Sequence, residues 1–125
     1  MAGVRTHQEL HAWQLADAVR AEVRDITALP AFRAHIDLRT QLRGAIDSAC
    51  TNIAEGFSRY QPRDIARFVR IAKASLTETI EHLTSAADLG LIDQTRAARL
   101  SVLTRRSRGA CTQWIRYLEN AKAPK

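Results

Sequence analysis

The sequence predicts an all-α fold, an antiparallel up-and-down four-helix bundle. Apolar residues recur at intervals of three and four through four long segments, as they do on the buried face of a helix. Pro30, Gly56, Pro62 and Gly90 divide these segments, and no segment alternates as a β-strand would. Amphipathic helices joined by short connections pack best as antiparallel neighbours, and 125 residues suffice for one such domain over residues 1–125.

The first helix is predicted over about residues 7–28. Pro30 follows it closely, so residues 29–37 are predicted to connect the first two helices. Asp37 is expected to be the N-cap of the second helix, because its carboxylate can accept hydrogen bonds from free amide groups. The apolar face of the first helix consists of Ala12, Leu15, Ala16, Val19, Val23 and Ile26.

The second helix is predicted over about residues 38–55. Gly56 is expected to end it, because glycine adopts the left-handed cap conformation without strain. The apolar stripe of this helix consists of Leu38, Leu42, Ala45, Ile46, Ala49 and Ile53.

The third and fourth helices are predicted over about residues 62–89 and 93–120. Pro62 suits the first turn of a helix, Gly90 suits the stop after the third helix, and Asp93 suits an N-cap. The apolar faces consist of Ile65, Phe68, Val69, Ala72, Leu76, Ile80, Leu83 and Ala87 in the third helix and of Leu100, Leu103, Ala110, Cys111, Trp114 and Leu118 in the fourth.

The net charge of +6 lies entirely in the last quarter of the chain. Residues 1–92 carry eleven basic and eleven acidic residues, whereas residues 93–125 carry eight basic and two acidic ones. Such a one-sided field favours a polyanionic partner. The basic residues predicted to contact it are Arg96, Arg99, Arg105, Arg106, Arg108, Arg116 and Lys122.

These arginines predict binding of RNA or DNA, because a guanidinium group presents a fork of donors that fits phosphate oxygens. Such contacts depend on salt and are largely independent of sequence. Tyr117 lies beside Arg99 and Arg106 on one flank of the helix, where its ring could stack on an unpaired base. Two alternatives stay open, namely a solvated helix face and a contact with acidic patches of a protein partner.

Two large apolar residues lie away from the predicted core faces. Trp13 lies about 110° from the centre of the first helix's apolar face, and Ile71 lies well off the stripe of the third helix. A second contact surface is plausible on these lateral faces. We therefore expect a homo-oligomer built partly through Trp13 and Ile71.

No motif predicts catalysis, so the chain is not expected to be an enzyme or to bind a metal or cofactor. It has no glycine-rich phosphate loop, no nucleophile elbow and no paired carboxylates of the di-iron type. His7 and His11 have a spacing that can chelate a metal, but Glu9 stands one position late for a zinc-protease motif.

Glu55 is predicted to belong to a structural network between the second and third helices. A carboxylate at the C-terminus of a helix is unfavourable unless a nearby cation offsets it, and Arg43 or Arg59 could supply that charge. No second acid or histidine has a helical spacing that would pair with Glu55. A structural role is therefore favoured over a catalytic one.

A reduced, cytoplasmic setting is expected. Cys50 and Cys111 both lie within apolar helical patterns and are predicted to be buried free thiols. Residues 1–8 contain no apolar segment of signal-peptide length. No apolar run approaches the roughly 20 residues that span a bilayer, so no membrane partner is expected.

Several motifs resemble the four helix bundle protein family, whose members were first noticed as products of intervening sequences in large-subunit ribosomal RNA genes. The most specific is Asn52-Ile53-Ala54-Glu55-Gly56, which follows Gln41-Leu42-Arg43 in the second helix. The resemblance covers about residues 10–118 and makes Arg43, Asn52, Glu55 and Gly56 a structural motif. Further matches are Leu10, Trp13-Gln14, Ala16, Pro30, Arg67-Phe68, Ile71-Ala72, Ser75-Leu76 and Glu78.

The resemblance implies an up-and-down bundle that assembles into rings, typically pentamers, and it implies little about activity. A related branch is the accessory variability determinant of diversity-generating retroelements, a basic oligomer that binds nucleic acid and a reverse transcriptase. The Asn52–Gly56 run is typical of the ordinary branch, whereas a strongly basic fourth helix is more typical of the retroelement branch. RNA, DNA and a reverse transcriptase are therefore the implied partners.

Overall fold

Four long α-helices dominate the structure, a computed structural model that describes residues 3–122 apart from the side chain of Lys122. They are α1 (His11–Thr27), α2 (Ile36–Phe57), α3 (Pro62–Asp88) and α4 (Gln94–Lys122). Short 3-10 helices, His7–Glu9 and Pro30–Ala34, precede α1 and α2. No residue from 3 to 122 lies in a β-strand, so the predicted all-α class is confirmed.

Each helix packs against two neighbours, in the cyclic order α1, α2, α3, α4. In each neighbouring pair, the residue numbers of successive contacts rise along one helix as they fall along the other, as antiparallel packing requires. The predicted four-helix bundle is therefore confirmed, and the order of the contacts agrees with the predicted up-and-down arrangement. The contacts are Thr27–Arg43 and Arg24–Asp47 between α1 and α2, Ser48–Ser75 and Gly56–Val69 between α2 and α3, Arg70–Glu119 and Ala87–Gln94 between α3 and α4, and Ala12–Ser107 and Glu22–Arg99 between α1 and α4.

The core contains the predicted apolar stripes, apart from Phe68 and Ile80 of α3, which are half-buried outside it, together with several hydroxyl side chains. Among the polar side chains of residues 3–122, no buried nitrogen or oxygen lacks a hydrogen-bond partner. Thr79 and Thr104 donate to the carbonyl oxygens of Ser75 and Leu100, one helical turn earlier, at 2.8 and 2.7 Å. Small hydroxyl residues thus enter the core without the cost of an unsatisfied polar group.

The segment before α2 differs from its predicted form. Pro30–Ala34 forms a 3-10 helix that buries Phe32 completely, so this connection contributes to the core. The helix α2 begins at Ile36 with His35 as its N-cap, and no side chain caps it. The prediction that Asp37 caps α2 is therefore wrong, because the helix begins one residue before it and places Asp37 in the first turn.

The start of α1 also differs from the predicted continuous helix. Leu10 has extended backbone dihedral angles between the 3-10 helix and α1, and it is buried although it lies off the α1 stripe. At the other end of the molecule, two predictions are confirmed. Gly90 has a φ of 75° directly after α3, and Asp93 accepts a hydrogen bond from the amide of Arg96 at 3.2 Å.

The prediction that Gly56 ends α2 is wrong, because the helix continues through Gly56 to Phe57. Gly56 does not have a positive φ. It is buried against α3, and a Cβ atom added there would lie 3.3 Å from Cγ2 of Val69 and 3.4 Å from the carbonyl oxygen of Ile65. The missing side chain therefore serves a close approach of α2 and α3 rather than a turn.

Candidate nucleic-acid interface

Two of the predicted phosphate-binding arginines, Arg96 and Arg99, pair with a partly exposed carboxylate on α1. Arg99 donates from both terminal nitrogens to Glu22 on α1, at 3.0 and 2.7 Å, and Arg96 donates to the same carboxylate at 3.4 Å. The hydrogen bond from Arg99 is the main cause that lowers the pKa of Glu22 below its ordinary value. These two arginines therefore join α1 to α4, and one carboxylate offsets half of their combined charge.

Arg108 faces the opposite seam, between α4 and α3. Its Nη1 atom donates to Oγ1 of Thr77 at 3.2 Å, and the side chain is half-buried. A hydroxyl group satisfies a donor without neutralising the charge, so Arg108 keeps its positive charge beside α3.

Arg105, Arg106 and Arg116 are exposed, and they form no ion pair with any side chain in the described part of the chain. At 100° per residue, Arg106 shares the α1-facing flank of α4 with Tyr117, whose side chain is 57% exposed. Arg116 lies on the α3-facing flank instead. The side chain of Lys122, the last predicted contact, lies outside the part that the structure describes.

The first half of α3 has about the same density of positive charge as α4. The balanced total over residues 1–92 concealed this charge. Pro62–Lys73 carries four basic residues against one acidic residue, Asp64, and the acidic residues that balance them follow later in the same helix. Because α3 and α4 are antiparallel, this basic half lies beside the C-terminal half of α4. The basic residues are Arg63, Arg67, Arg70 and Lys73, and the later acidic ones are Glu78, Glu81 and Asp88.

Together the two helices form one surface, which we call the α3–α4 basic surface. A groove of about 390 Å³ runs between them, and an open depression, lined by Arg63, Asp64, Arg67 and Arg70, lies on α3. Arg70 lines both, so the two features are neighbours. One carboxylate, that of Glu119, contacts Arg70 at 2.9 Å. The cations of the α3–α4 basic surface are Arg63, Arg67, Arg70, Lys73, Arg108 and Arg116.

The turn between α2 and α3 lies at the same end of the bundle as this surface. Arg59 pairs with Glu55 at 3.2 Å, so Arg59 supplies the charge that offsets this carboxylate at the end of α2. Arg43, the other predicted candidate, donates to Thr27 instead, and Asn52 donates to the carbonyl oxygen of Ser48 at 2.8 Å. Of these contacts, Arg43–Thr27 joins α2 to α1, whereas the other two lie within α2 and the turn after it, and none of the three brings a reactive pair of groups together.

Trp13 and Ile71, the predicted oligomer contacts, lie on α1 and α3, diagonally across the bundle. Trp13 is half-buried against the core. Its ring centre lies 5.0 Å from that of His7, with the two rings steeply inclined, and 5.8 Å from the guanidinium carbon of Arg20. Ile71 is 42% exposed. The structure therefore gives one protomer two separate apolar positions rather than one shared patch.

Both cysteines are buried free thiols, as predicted. Burial raises the pKa of Cys50 to about 11 and that of Cys111 to about 12. From residue 3 to residue 122, no three His, Cys, Asp or Glu side chains are grouped as a metal ion would require. None of the helices within residues 3–122 contains an apolar stretch long enough to cross a bilayer.

A family model described as 23S rRNA-intervening sequence protein matches residues 8–112 of the chain. This range begins just before α1 and ends within α4, so it includes the motif Asn52–Gly56 and both helices of the α3–α4 basic surface. A search of curated proteins found no match to the sequence.

Proposed function

We propose, from the premise that the chain belongs to the 23S rRNA-intervening sequence protein family, that it is a non-catalytic, homo-oligomeric bundle that binds nucleic acid. The observation that carries the proposal is the α3–α4 basic surface, where two helices place six cations on neighbouring faces and three of them, Arg70, Lys73 and Arg116, line the groove between the helices. Arg116, Lys73, Arg63 and Arg67 form no ion pair among the described residues, so their charge is available to phosphates.

The proposed contact lies further along the bundle than the arginines of α4 alone predicted. The N-terminal arginines of α4 lie opposite acidic residues, Glu22 on α1 and Asp88 on α3, the latter lining one groove with Arg105. Arg116 instead lies beside the basic half of α3. The positive potential is therefore concentrated where α3 begins and α4 ends, and a backbone that carries one charge per nucleotide fits that concentration.

The proposed assembly is a closed ring. Head-to-tail contacts in a ring need two different surfaces on each protomer, whereas a twofold dimer uses one surface twice. Trp13 and Ile71, on diagonally opposite helices, supply two such surfaces. A ring would repeat the α3–α4 basic surface around its circumference, so individually weak phosphate contacts would add through a high effective concentration.

Binding is tested by fluorescence anisotropy with labelled single-stranded RNA and duplex DNA in salt from about 50 to 300 mM. We expect affinity to fall steeply with salt and to vary little with sequence, and Arg116→Glu to weaken binding. Arg33→Glu is the matched control, because it makes the same charge change on an exposed residue of the 3-10 helix before α2. A flat salt response, or equal effects of the two variants, would contradict the proposal.

Assembly is tested by multi-angle light scattering at tens of micromolar protein. We expect a mass several times that of the 14.0 kDa chain and a shift toward monomer in Ile71→Arg. Val102→Arg, on the outer face of α4, is the control because Val102 is also exposed and apolar. A monomeric wild-type protein would overturn this part of the proposal.

A structural or protein-interaction bundle is the second candidate function. The ion pairs of Glu22 favour it, because they engage two of the seven predicted phosphate ligands, Arg96 and Arg99, in contacts between α4 and α1. Under this function the wild-type protein binds neither probe at low salt, and the remaining arginines contact acidic groups of other protein surfaces. A role as accessory to a reverse transcriptase stays a prediction that rests on the related branch of the family.

A further inference from the structure

We infer that the turn between α2 and α3 is a stacking site for an unpaired base, so that the α3–α4 basic surface receives single-stranded nucleic acid. This inference rests on the proposed function and names the form of its ligand. The central residue is Tyr60, whose side chain is 96% exposed, far more than any other large apolar or aromatic residue in the described chain. Tyr60 contributes nothing to the core and is open to a partner.

Cations surround this ring in the sequence and along the helix that follows. Arg59 directly precedes Tyr60, and Arg63 lies three residues after it in the first turn of α3. Arg67 continues the same face of α3 one turn later, and three arginines, Arg63, Arg67 and Arg70, line the depression beside the α3–α4 groove together with one carboxylate, that of Asp64. A nucleotide whose base stacks on Tyr60 therefore has a row of phosphate ligands for the nucleotides next to it.

Phe68 orders the arginines on either side of the turn. The guanidinium carbons of Arg59 and Arg67 each lie 4.7 Å from the centre of its ring. Such cation–π contacts hold the flat guanidinium groups at the protein surface, and in this orientation they lose less conformational entropy when they bind a phosphate. Arg59 is also fixed by Glu55. The turn thus has ordered cations beside an exposed ring.

The form of the ligand follows from the chemistry of the ring. Aromatic side chains stack on bases whose faces are free, and this contact tolerates any base because every base has a π face. In a duplex the base faces are occupied by their neighbours, so Tyr60 has nothing to stack on there. The cations, by contrast, contact phosphates in either form. Tyr60 should therefore distinguish single strands from duplexes, whereas the cations should not.

The test compares labelled single-stranded RNA, single-stranded DNA and duplex DNA on wild type, Tyr60→Ala and Tyr60→Phe. Loss of one base stack weakens binding about five-fold or more, so we expect this loss for both single strands in Tyr60→Ala, and an unchanged duplex affinity. Tyr60→Phe keeps the ring and should retain binding. Leu89→Ala, at the opposite end of the bundle, is the control because Leu89 is an exposed apolar residue that follows α3.

The outcomes separate the two proposals. A wild-type protein that binds no probe overturns the proposed function, and the inference with it. A wild-type protein that binds by a salt-dependent interaction while Tyr60→Ala leaves single-strand affinity unchanged overturns the inference alone. If Tyr60→Ala weakened binding of single strands and duplex equally, the inference would also be overturned. Such a result would report a change in the charged surface rather than the loss of a base stack.

Discussion

Gly56 on α2 and Val69 on α3 approach so closely that a Cβ atom added to Gly56 would lie 3.3 Å from Cγ2 of Val69. Phe68 and the backbone of Ile65 lie at 3.4 Å from the same point, so three atoms of α3 enclose the missing side chain. The glycine of the motif Asn52–Gly56 is thus a packing residue. Helix propensity alone would favour alanine here, and the contact with α3 opposes it.

The two glycines within α2 give a matched test of this contact. Gly44 has open space around an added Cβ, so Gly44→Ala should stabilise the protein by roughly 0.5–1 kcal/mol through helix propensity. Gly56→Ala should lack this gain, and Gly56→Val should lower the free energy of unfolding by about 1–3 kcal/mol through overpacking. Urea unfolding followed by circular dichroism measures all three. Equal gains from alanine at both positions would contradict the packing role.

Phe32 provides a second test, in a segment with no helical periodicity. It is fully buried, so Phe32→Ala should lower the free energy of unfolding by about 3–5 kcal/mol. Leu29→Ala is the control, since Leu29 is exposed in the same connection and should change stability by less than about 0.5 kcal/mol. If Phe32→Ala fails to fold, Phe32→Leu in thermal denaturation should show a smaller loss of the same sign. No loss in either variant would be inconsistent with burial.

The sequence predicted the helices and most of their buried faces because burial on a helix follows a period. Leu42, Ile46 and Ile53 were recognisable in this way. Phe32 was not, because a proline-broken segment has no period to read. The role of Gly56 was hidden as well, since a glycine near the end of a helix also suits a stop, and only its contact with Val69 distinguishes the two.

The candidate site was predicted less well, because charge acts through space while residues were counted along the chain. A balanced total over residues 1–92 concealed the separation between the basic and acidic halves of α3. The pairing of Glu22 with Arg99 depends on the register between α1 and α4, residues 77 positions apart. Periodicity within each helix does not set that register, so the sequence could not show which arginines keep their charge.

The pH dependence of stability tests the pairing of Glu22. Because Arg99 lowers the pKa of Glu22 in the folded state, this carboxylate contributes stability above its unfolded pKa. The contribution is lost as pH falls from about 4.3, the ordinary glutamate value, through the lower folded pKa. Glu22→Gln should therefore have a lower urea midpoint than wild type at neutral pH, and the difference should shrink in acid.

Glu78→Gln controls for the loss of one negative charge, since Glu78 is exposed and forms no ion pair among residues 3–122. Its urea midpoint should follow that of wild type across the same pH range. A Glu22→Gln deficit that persists unchanged at pH values below the folded pKa would mean that packing, not charge, is responsible.

The two thiols should be unreactive while the protein is folded. Burial raises the pKa values of Cys50 and Cys111 to about 11 and about 12, so at pH 8 almost no thiolate is present and access is blocked as well. Ellman's reagent should label both only in denaturant. Thr51→Cys, on an exposed position next to Cys50, should react at once in the folded protein. Rapid labelling of wild type would show that the core opens far more often than this packing allows.

The carboxylate of Glu119 opposes phosphate binding on the α3–α4 basic surface, because it forms an ion pair with Arg70 at 2.9 Å. Both side chains of this pair are more than half exposed, so removing it should change stability little. Glu119→Gln frees Arg70 for a phosphate. The variant should bind single-stranded RNA more tightly than wild type, and the slope of log affinity against log salt should steepen by about 0.7, the value for one further phosphate contact on a single strand.

Glu78→Gln makes the same change in net charge on the α2-facing side of α3 and should leave the slope unchanged. If both variants tighten binding equally, net charge rather than the α3–α4 basic surface determines affinity, and weaker binding by Glu119→Gln would exclude Arg70 as a phosphate ligand.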